Sequence, residues 1–164
     1  MLRNRHFPKS LSGWLILTLI IYIFSLPIWL PKPINAAKVD IVGPPGSQKF
    51  GENVVALPNG NFVVIDSQYD EGGLTDIGAA YLYNGTTLAI ISILKGSQAY
   101  DRIGSGGVTI LSNGNFVVIS PYWRKVTGAV TWCSAATGCN GMVTASNSLV
   151  GSSEYRSEEH TSEL

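Results

Sequence analysis

The chain has 164 residues, with 11 lysines and arginines balanced by 11 aspartates and glutamates, and 45% of its residues are hydrophobic. It carries no basic stripe, so the sequence lacks the electrostatic footprint that nucleic-acid binding requires. Its two histidines, His6 and His160, lie at opposite ends of the chain. Residues 38–155 therefore contain no imidazole, which excludes Ser-His-Asp catalysis, Cys-His catalysis and histidine-based metal sites from that segment.

Residues 1–37 have the pattern of a secretory signal peptide. Three cations precede an apolar run over residues 14–30, and the segment ends in Ala36 and Ala37. A basic start, an apolar centre and small residues at the end are typical of a cleaved signal. The alternative is an uncleaved anchor, because the run is close to the shortest that spans a bilayer. Pro27 favours cleavage, which predicts a secreted or cell-surface protein that is not held in the membrane.

The C-terminal end changes character abruptly. Residues 156–164 read Arg-Ser-Glu-Glu-His-Thr-Ser-Glu-Leu. This segment resembles the in-frame translation of a sequencing-library adapter, so we exclude it from fold reasoning. The alternative is a genuine acidic tail. Just before it, Gly151-Ser152 aligns with Gly96-Ser97, which predicts that residues 151–155 begin a truncated third repeat.

A nine-residue segment occurs twice in the chain. Residues 57–65 read Leu-Pro-Asn-Gly-Asn-Phe-Val-Val-Ile, and residues 111–119 differ from them only by serine in place of proline. Repeats of this kind cannot bury their apolar faces alone and must stack on one another. After a linker over residues 38–45, we expect one β-repeat over residues 46–95 and a second over residues 96–150.

Each repeat is predicted to form four antiparallel strands. In the first repeat, β-branched and aromatic runs separated by Asn-Gly turns predict strands over 53–57, 62–65, 78–83 and 88–94. The second repeat predicts strands over 108–111, 116–119 and 128–132, followed by a looser segment to Val150, and no helix is expected after Ala37. The fold class is therefore all-β, with tandem four-stranded repeats forming an incomplete β-propeller. A β-solenoid or an open meander is the alternative.

Three segments of the repeat carry a family resemblance. They read Leu-Pro-Asn-Gly-Asn-Phe-Val-Val, Asp-Ile-Gly-Ala-Ala-Tyr-Leu-Tyr-Asn-Gly and Gly-Ser-Gln-Ala-Tyr-Asp-Arg-Ile-Gly-Ser-Gly-Gly-Val. Together they resemble a bacterial repeat of unknown function that occurs in tandem in long secreted or surface proteins. More distantly the chain resembles the FG-GAP blades of integrin-type propellers, with Phe50-Gly51 and Gly78-Ala79 at the motif positions. The resemblance implies a propeller blade in a surface-exposed array.

Some FG-GAP blades bind calcium, and the loop after residue 65 offers candidate ligands. Asp70, Glu71 and Asp76 are the carboxylates that could bind Ca²⁺ there, since Ca²⁺ takes six to eight oxygen ligands. Their spacing is not that of an EF-hand, and the second repeat has Pro-Tyr-Trp-Arg-Lys over residues 121–125 instead. The alternative is a solvated loop, and no other cofactor is expected.

Two further features concern stability and contact. Cys133 and Cys139 lie in an exported segment, where an oxidising compartment favours a disulfide. Tyr122, Trp123 and Arg124 form an aromatic and basic cluster that predicts either a contact surface for a glycan or protein or a cover for the end of a blade.

The sequence favours a non-enzymatic protein that acts as an adhesive or structural scaffold. Its expected partners are neighbouring repeats and a surface protein or glycan. An alternative is a secreted, glycan-active propeller enzyme with a carboxylate pair such as Asp66 and Asp76, completed by other repeats. A membrane-tethered sensor is a third hypothesis, which requires that the signal segment is retained.

Overall fold

The structure is a computed structural model that describes residues 38–152. The predicted signal peptide over 1–37 and the adapter-like segment over 156–164 lie outside the described residues, as does most of the predicted third repeat over 151–155. In the described part, no helix is long and apolar enough to cross a bilayer.

Nine strands and one helical turn follow one another along the described chain. They are β1 (Asn53–Ala56), β2 (Phe62–Asp66), β3 (Ala79–Tyr83), β4 (Ile90–Lys95), β5 (Val108–Ile110), β6 (Phe116–Ser120), α1 (Trp123–Val126), β7 (Ala129–Cys133), β8 (Gly141–Met142) and β9 (Ser148–Val150).

The strands form two sheets, one for each repeat. The first sheet has the order β1-β2-β3-β4-β8 and the second has the order β5-β6-β7-β9. Neighbouring strands are antiparallel except β8, which comes from the second repeat and pairs in parallel with β4. The predicted all-β class is therefore confirmed, and each repeat supplies four antiparallel strands to its own sheet. The additional pairing of β8 ties the second repeat to the edge of the first.

The helical turn α1 was not predicted from the sequence. It is not a regular helix, because Arg124 and Lys125 have left-handed backbone angles, with φ of 45° and 54°. Such angles interrupt the hydrogen-bond ladder of an α-helix after one turn. The turn changes the direction of the chain between β6 and β7.

The Asn-Gly turns are formed as three-residue hairpin loops. The Gly60 N–H donates to the Leu57 carbonyl at 3.0 Å, and the Leu57 N–H donates to the Asn61 carbonyl at 2.8 Å. Gly60 alone in this turn has positive φ, at 88°, which is the position where glycine is favoured. The second repeat forms the same turn, with Gly114 at φ 82°. The repeated nonapeptide therefore encodes one hairpin twice.

Each sheet has two apolar faces because consecutive residues of its central strands, such as Phe62–Ile65 and Phe116–Ile119, are apolar. We call the front face of the first sheet the one formed by Phe62, Val64, Tyr81 and Tyr83, and the rear face the one formed by Val63, Ile65, Ala80, Leu82 and Leu94. In the second sheet, the front face consists of Phe116, Val118, Ala129 and Cys133, and the rear face of Val117, Ile119, Val130, Trp132 and Leu149.

The main core lies between the two sheets. The rear face of the first sheet and the front face of the second belong to one buried cluster, which also contains Ile103 and Trp123. Leu82 and Phe116 are 1% and 2% exposed. Full burial of side chains of this size stabilises the fold by about 1.5–3 kcal/mol each. The second repeat thus covers the first, as stacking of repeats requires.

A second, smaller core covers the front face of the first sheet. Val64, Tyr81 and Tyr83 are buried there, and the preceding segment contributes Ile41 and Phe50. The Phe50 ring lies edge-on to the Tyr81 ring at a centroid distance of 5.6 Å. The segment before β1 therefore packs on the front face of the first sheet, just as the first sheet packs on the front face of the second.

Candidate functional site

The two ends of the paired sheets have different character. At one end, which we call the turn end, the tight hairpins meet: Asn59 and Asn61 both donate to the Ala135 carbonyl, at 2.7 and 2.9 Å. At the other end, which we call the loop end, three longer connections lie over residues 67–78, 96–107 and 121–128. Loops that are held by a rigid scaffold are where binding residues concentrate.

Buried polar side chains fix the connections at the loop end. Asp66 is fully buried and accepts hydrogen bonds from the backbone N–H groups of Gln48 and Lys49, at 3.1 and 2.9 Å. At the matching position of the second repeat, the Ser120 hydroxyl accepts from the N–H of Gly104 at 3.1 Å. Both residues therefore hold the segment that precedes the first strand of their own repeat.

Arg102 connects all three loops at the exposed surface. Its Nη2 donates to Asp76 Oδ2 at 2.8 Å, and its guanidinium carbon lies 6.0 Å from the Tyr100 ring centre and 5.6 Å from the Tyr122 ring centre. The Tyr100 and Tyr122 side chains are 59% and 45% exposed. We call the surface formed by Tyr100, Arg102, Tyr122 and Arg124 the aromatic–basic patch.

The backbone around this patch is unusual. In the part of the chain that the structure describes, seven non-glycine residues have positive φ, and all except Leu88 lie at the loop end. Each such conformation costs about 1–3 kcal/mol and persists only where the surroundings enforce it. The patch residues among them are Tyr100 at 67°, Arg102 at 47° and Arg124 at 45°. Strain of this kind clusters at ligand sites and switch regions.

The structure separates the predicted contact residues Tyr122, Trp123 and Arg124. Tyr122 and Arg124 are exposed, whereas Trp123 is only 2% exposed and belongs to the main core. The Arg124 guanidinium carbon lies 5.0 Å from the Trp123 ring centre, so it covers the buried indole. Trp123 thus acts as the anchor under the patch, and Tyr122 and Arg124 remain available for contact.

The predicted calcium ligands point into separate interactions. Asp70 Oδ1 accepts from the Asp76 N–H at 2.7 Å, Asp76 pairs with Arg102, and Glu71 pairs with Lys95, whose Nζ donates at 2.8 Å. Within residues 38–152, no group of three or more His, Cys, Asp or Glu side chains could hold a metal ion as arranged. Calcium binding stays a prediction, and a cation would have to displace these partners.

Two pKa values in the acidic loop are shifted. The hydrogen bond from Lys95 lowers the pKa of Glu71 below its usual range. Burial raises the pKa of Tyr69, and the nearby Glu71 carboxylate adds to that effect. Glu71 is therefore ionised and Tyr69 is neutral at physiological pH, so this pair is stable rather than poised for proton transfer.

Cys133 and Cys139 form a disulfide across the hairpin that follows β7. Cys133 is fully buried on the front face of the second sheet, and Cys139 packs against the same core. The bridge closes the hairpin whose Ala135 carbonyl accepts from Asn59 and Asn61. It therefore strengthens the turn end and lies away from the aromatic–basic patch.

Sequence reasoning missed Tyr100 and Arg102. A signal was available in the comparison of the two repeats: Tyr100 occupies the place after Gly96-Ser97-Gln98 that Phe50 occupies after Gly46-Ser47-Gln48. Phe50 packs on Tyr81, whereas the Tyr100 ring faces solvent beside Arg102. A change from a buried ring to an amphipathic ring at one repeat position indicates a different role.

The patch combines exposed aromatic faces with guanidinium donors. Such a surface can stack on a planar or ring-shaped ligand and donate hydrogen bonds to its oxygens. Arg102 Nε is buried and, among the described residues, has no hydrogen-bond partner. The site therefore has chemistry suited to binding.

Comparison with known proteins agrees with the repeat architecture. No curated protein matches the chain. The model of a repeat of unknown function, DUF5650, matches residues 56–105 and again residues 110–157, which together are more than half of the chain. Both matches contain the Asn-Gly-Asn turn and the strands that follow it, β2 to β4 in the first and β6 to β9 in the second. The chain belongs to this repeat family and carries two tandem copies of it.

Proposed function

We propose that this protein is part of a secreted or cell-surface β-repeat protein that acts as a non-catalytic adhesive and structural scaffold. The stacked sheets would form the scaffold, and the aromatic–basic patch would bind a glycan or a surface protein. The observation that carries the proposal is that the exposed rings of Tyr100 and Tyr122 have their centres 6.0 and 5.6 Å from the Arg102 guanidinium carbon, where three loops meet.

The chemistry of the patch supports binding rather than catalysis. Arg102 is held by Asp76, and Asp76 is engaged in that ion pair. Asp66, the other member of the carboxylate pair considered for glycoside hydrolysis, is buried and occupied by backbone N–H groups. A catalytic carboxylate has to reach a bound substrate, so these hydrogen bonds favour a structural role for Asp66.

Export is supported by the disulfide. Bonds such as Cys133–Cys139 form and persist mainly in oxidising compartments. N-terminal sequencing of the exported protein tests this part of the proposal. A mature chain that begins at Ala37 or Lys38 supports secretion, and retention of the apolar run over 14–30 supports the tethered sensor instead.

Ligand binding is tested with a printed array of neutral and acidic glycans, probed with the purified protein. We expect binding to at least one glycan class, and loss of that binding in the double variant Tyr100→Ala, Tyr122→Ala. The matched control is Trp132→Ala, which removes an aromatic residue that is 54% exposed but lies on the sheet face, away from the loop end. Equal loss in both variants, or binding unaffected by the double variant, would overturn the assignment of the patch.

A further inference from the structure

The rear face of the second sheet is apolar and uncovered in the described part of the chain. Val117, Val130, Trp132 and Leu149 line a groove of about 400 Å³, together with Ser146, Asn147 and Ser148. Trp132 is 54% exposed and Leu149 is 80% exposed. No charged side chain lines this groove, so its chemistry suits an apolar occupant.

The same face of the first repeat is completely covered. Val63, Ala80 and Leu82 occupy the positions that correspond to Val117, Val130 and Trp132, since β2 matches β6 and β3 matches β7 in register. These three side chains are 1%, 5% and 1% exposed. They are covered by the front face of the second sheet. The structure therefore contains one example of what the rear face of a repeat binds.

The chain also leaves both sheets in the same way. The Gly96 N–H donates to the Gly78 carbonyl at 3.2 Å, and the Gly151 N–H donates to the Gly128 carbonyl at 3.1 Å. A Cβ atom at Gly96 would collide with the Ile77 carbonyl, and one at Gly151 would collide with the Thr127 carbonyl. After Gly96 the chain enters the repeat that covers the first sheet, and Gly151 ends the second sheet with the equivalent hydrogen bond.

We propose that the rear face of the second sheet is the docking surface for a further copy of the repeat in a longer tandem array, in which that copy would follow Gly151. The front face of that copy, equivalent to Phe116, Val118 and Cys133, fills the groove and covers Trp132. The inference deepens the scaffold role proposed above and rests on it. It also explains why a large apolar side chain is tolerated at this position.

A second molecule fits the groove less well than a following repeat. A second molecule could not present the front face of its first sheet, because Ile41 and Phe50 already cover that face. The front face of its second sheet is covered as well, by the rear face of its own first sheet. This favours docking within one chain over self-association.

The test uses an extended protein in which residues 96–150 are duplicated after Val150. The inserted copy carries Trp132→Phe, so that only the original Trp132 is measured. Hydroxyl-radical footprinting with mass spectrometry measures its oxidation rate in the full chain and in the extended chain. In the full chain we expect Trp132 to be oxidised faster than Trp123, which is 2% exposed. In the extended chain we expect the oxidation rate of Trp132 to fall to that of Trp123. Trp132→Ala should also lower the melting temperature of the extended chain more than that of the full chain.

The matched control is the extended chain with Phe116→Asp and Val118→Asp in the inserted copy, which should leave Trp132 reactive. Unchanged Trp132 oxidation in the extended chain, while its Trp123 peptides stay protected, would overturn the proposal. Concentration-dependent protection of Trp132 in the unextended chain would also overturn it, in favour of a second molecule. The oxidation rate of Trp132 is measured without a ligand. Failure to find a glycan would therefore contradict the adhesive role without affecting the test of docking.

Discussion

The carboxylate of Asp101 joins two loops of the protein: its Oδ1 accepts a hydrogen bond from the backbone N–H of Arg124 at 2.9 Å, although Asp101 is only 1% exposed. Its Oδ2 accepts from the N–H groups of Ser97 and Gln98, at 2.9 Å each. A buried carboxylate with three backbone donors defines the loop geometry, because two donors fix its own loop and the third is satisfied only if the loop of Arg124 stays in place. Asp101 therefore positions the aromatic–basic patch without being part of its surface.

Replacing Asp101 by asparagine tests this relationship. Asp101→Asn substitutes an amide NH₂ for one acceptor oxygen, so at least one backbone donor loses its partner. We expect the free energy of unfolding, measured by urea denaturation, to fall by about 1–3 kcal/mol. The control is Lys125→Gln, which removes a charge from an exposed residue of the same loop end and should change stability by less than about 0.5 kcal/mol. Equal effects of the two variants would contradict the anchoring role of Asp101.

The hydroxyl of Tyr81 offers a second test. It is buried near the Ser47 hydroxyl, but neither hydroxyl makes a hydrogen bond of ordinary geometry with any of residues 38–152. Tyr81→Phe removes this unsatisfied group while it keeps the ring, so we expect the free energy of unfolding at pH 7 to stay the same or rise by about 1 kcal/mol. Tyr122→Phe, at the exposed surface, should have no effect. A clear loss of stability in Tyr81→Phe would show that the hydroxyl is satisfied.

The same side chain predicts how stability depends on alkaline pH. Burial raises the pKa of Tyr81 far above its usual value, and burial also raises that of Tyr83. A raised folded-state pKa contributes stability that is complete below the unfolded value of about 10 and is lost as the pH rises beyond it. Urea denaturation between pH 8 and 11 should therefore show falling stability above about pH 10, with a shallower fall in Tyr81→Phe. A flat profile would contradict the shift.

Substitutions at two glycines of one loop allow the cost of backbone strain to be measured separately from that of steric collision. Gly72 and Gly78 have φ of 62° and 73°, but a Cβ at Gly72 meets nothing within 4 Å, whereas one at Gly78 would collide with the backbone of Ile103. Gly72→Ala should cost about 1–2 kcal/mol from the left-handed conformation alone. Gly78→Ala should cost roughly 4 kcal/mol or more, because it also displaces the linker between the sheets. Thermal denaturation measures both, and similar losses would argue against close packing of the linker at Gly78.

Reduction of the disulfide should weaken the turn end only moderately. The bridge between Cys133 and Cys139 closes a short loop, so its loss should lower the free energy of unfolding by about 2 kcal/mol. Urea denaturation with and without dithiothreitol measures the change. Cys139→Ala serves as the control, since it removes the bridge without a reductant and should make dithiothreitol ineffective. A further effect of dithiothreitol on that variant would show that reduction acts elsewhere.

Much of the sheet architecture was predictable from the sequence. The repeated nonapeptide marks the turn and β2 in one copy and the turn and β6 in the other, because Asn-Gly turns and β-branched runs are strong local signals. Which face of each sheet contacts the neighbouring repeat was not predictable. Phe62, Val63, Val64 and Ile65 are all apolar, so alternation along the strand does not tell which side contacts the next repeat.

The candidate site was only partly predictable. Tyr122 and Arg124 were identified from composition, but burial of Trp123 depends on a left-handed turn at Arg124 and Lys125 that no local rule favours for these residues. The pairing of β8 with β4 was also unexpected, since Gly141–Met142 has neither strand length nor alternation. Tertiary packing determines both features, and a single sequence does not encode them locally.

Gly96 and Gly151 mark the ends of the two repeats with the same local geometry. At Gly96 and Gly151 the chain leaves a sheet by the same hydrogen bond, and the front of one unit fits the rear of the one before it. Unequal recombination that adds or removes one whole unit between such boundaries would join compatible surfaces. A deletion that begins inside a unit would instead join a loop to a strand. Variation in array length should therefore be inherited in whole-unit steps.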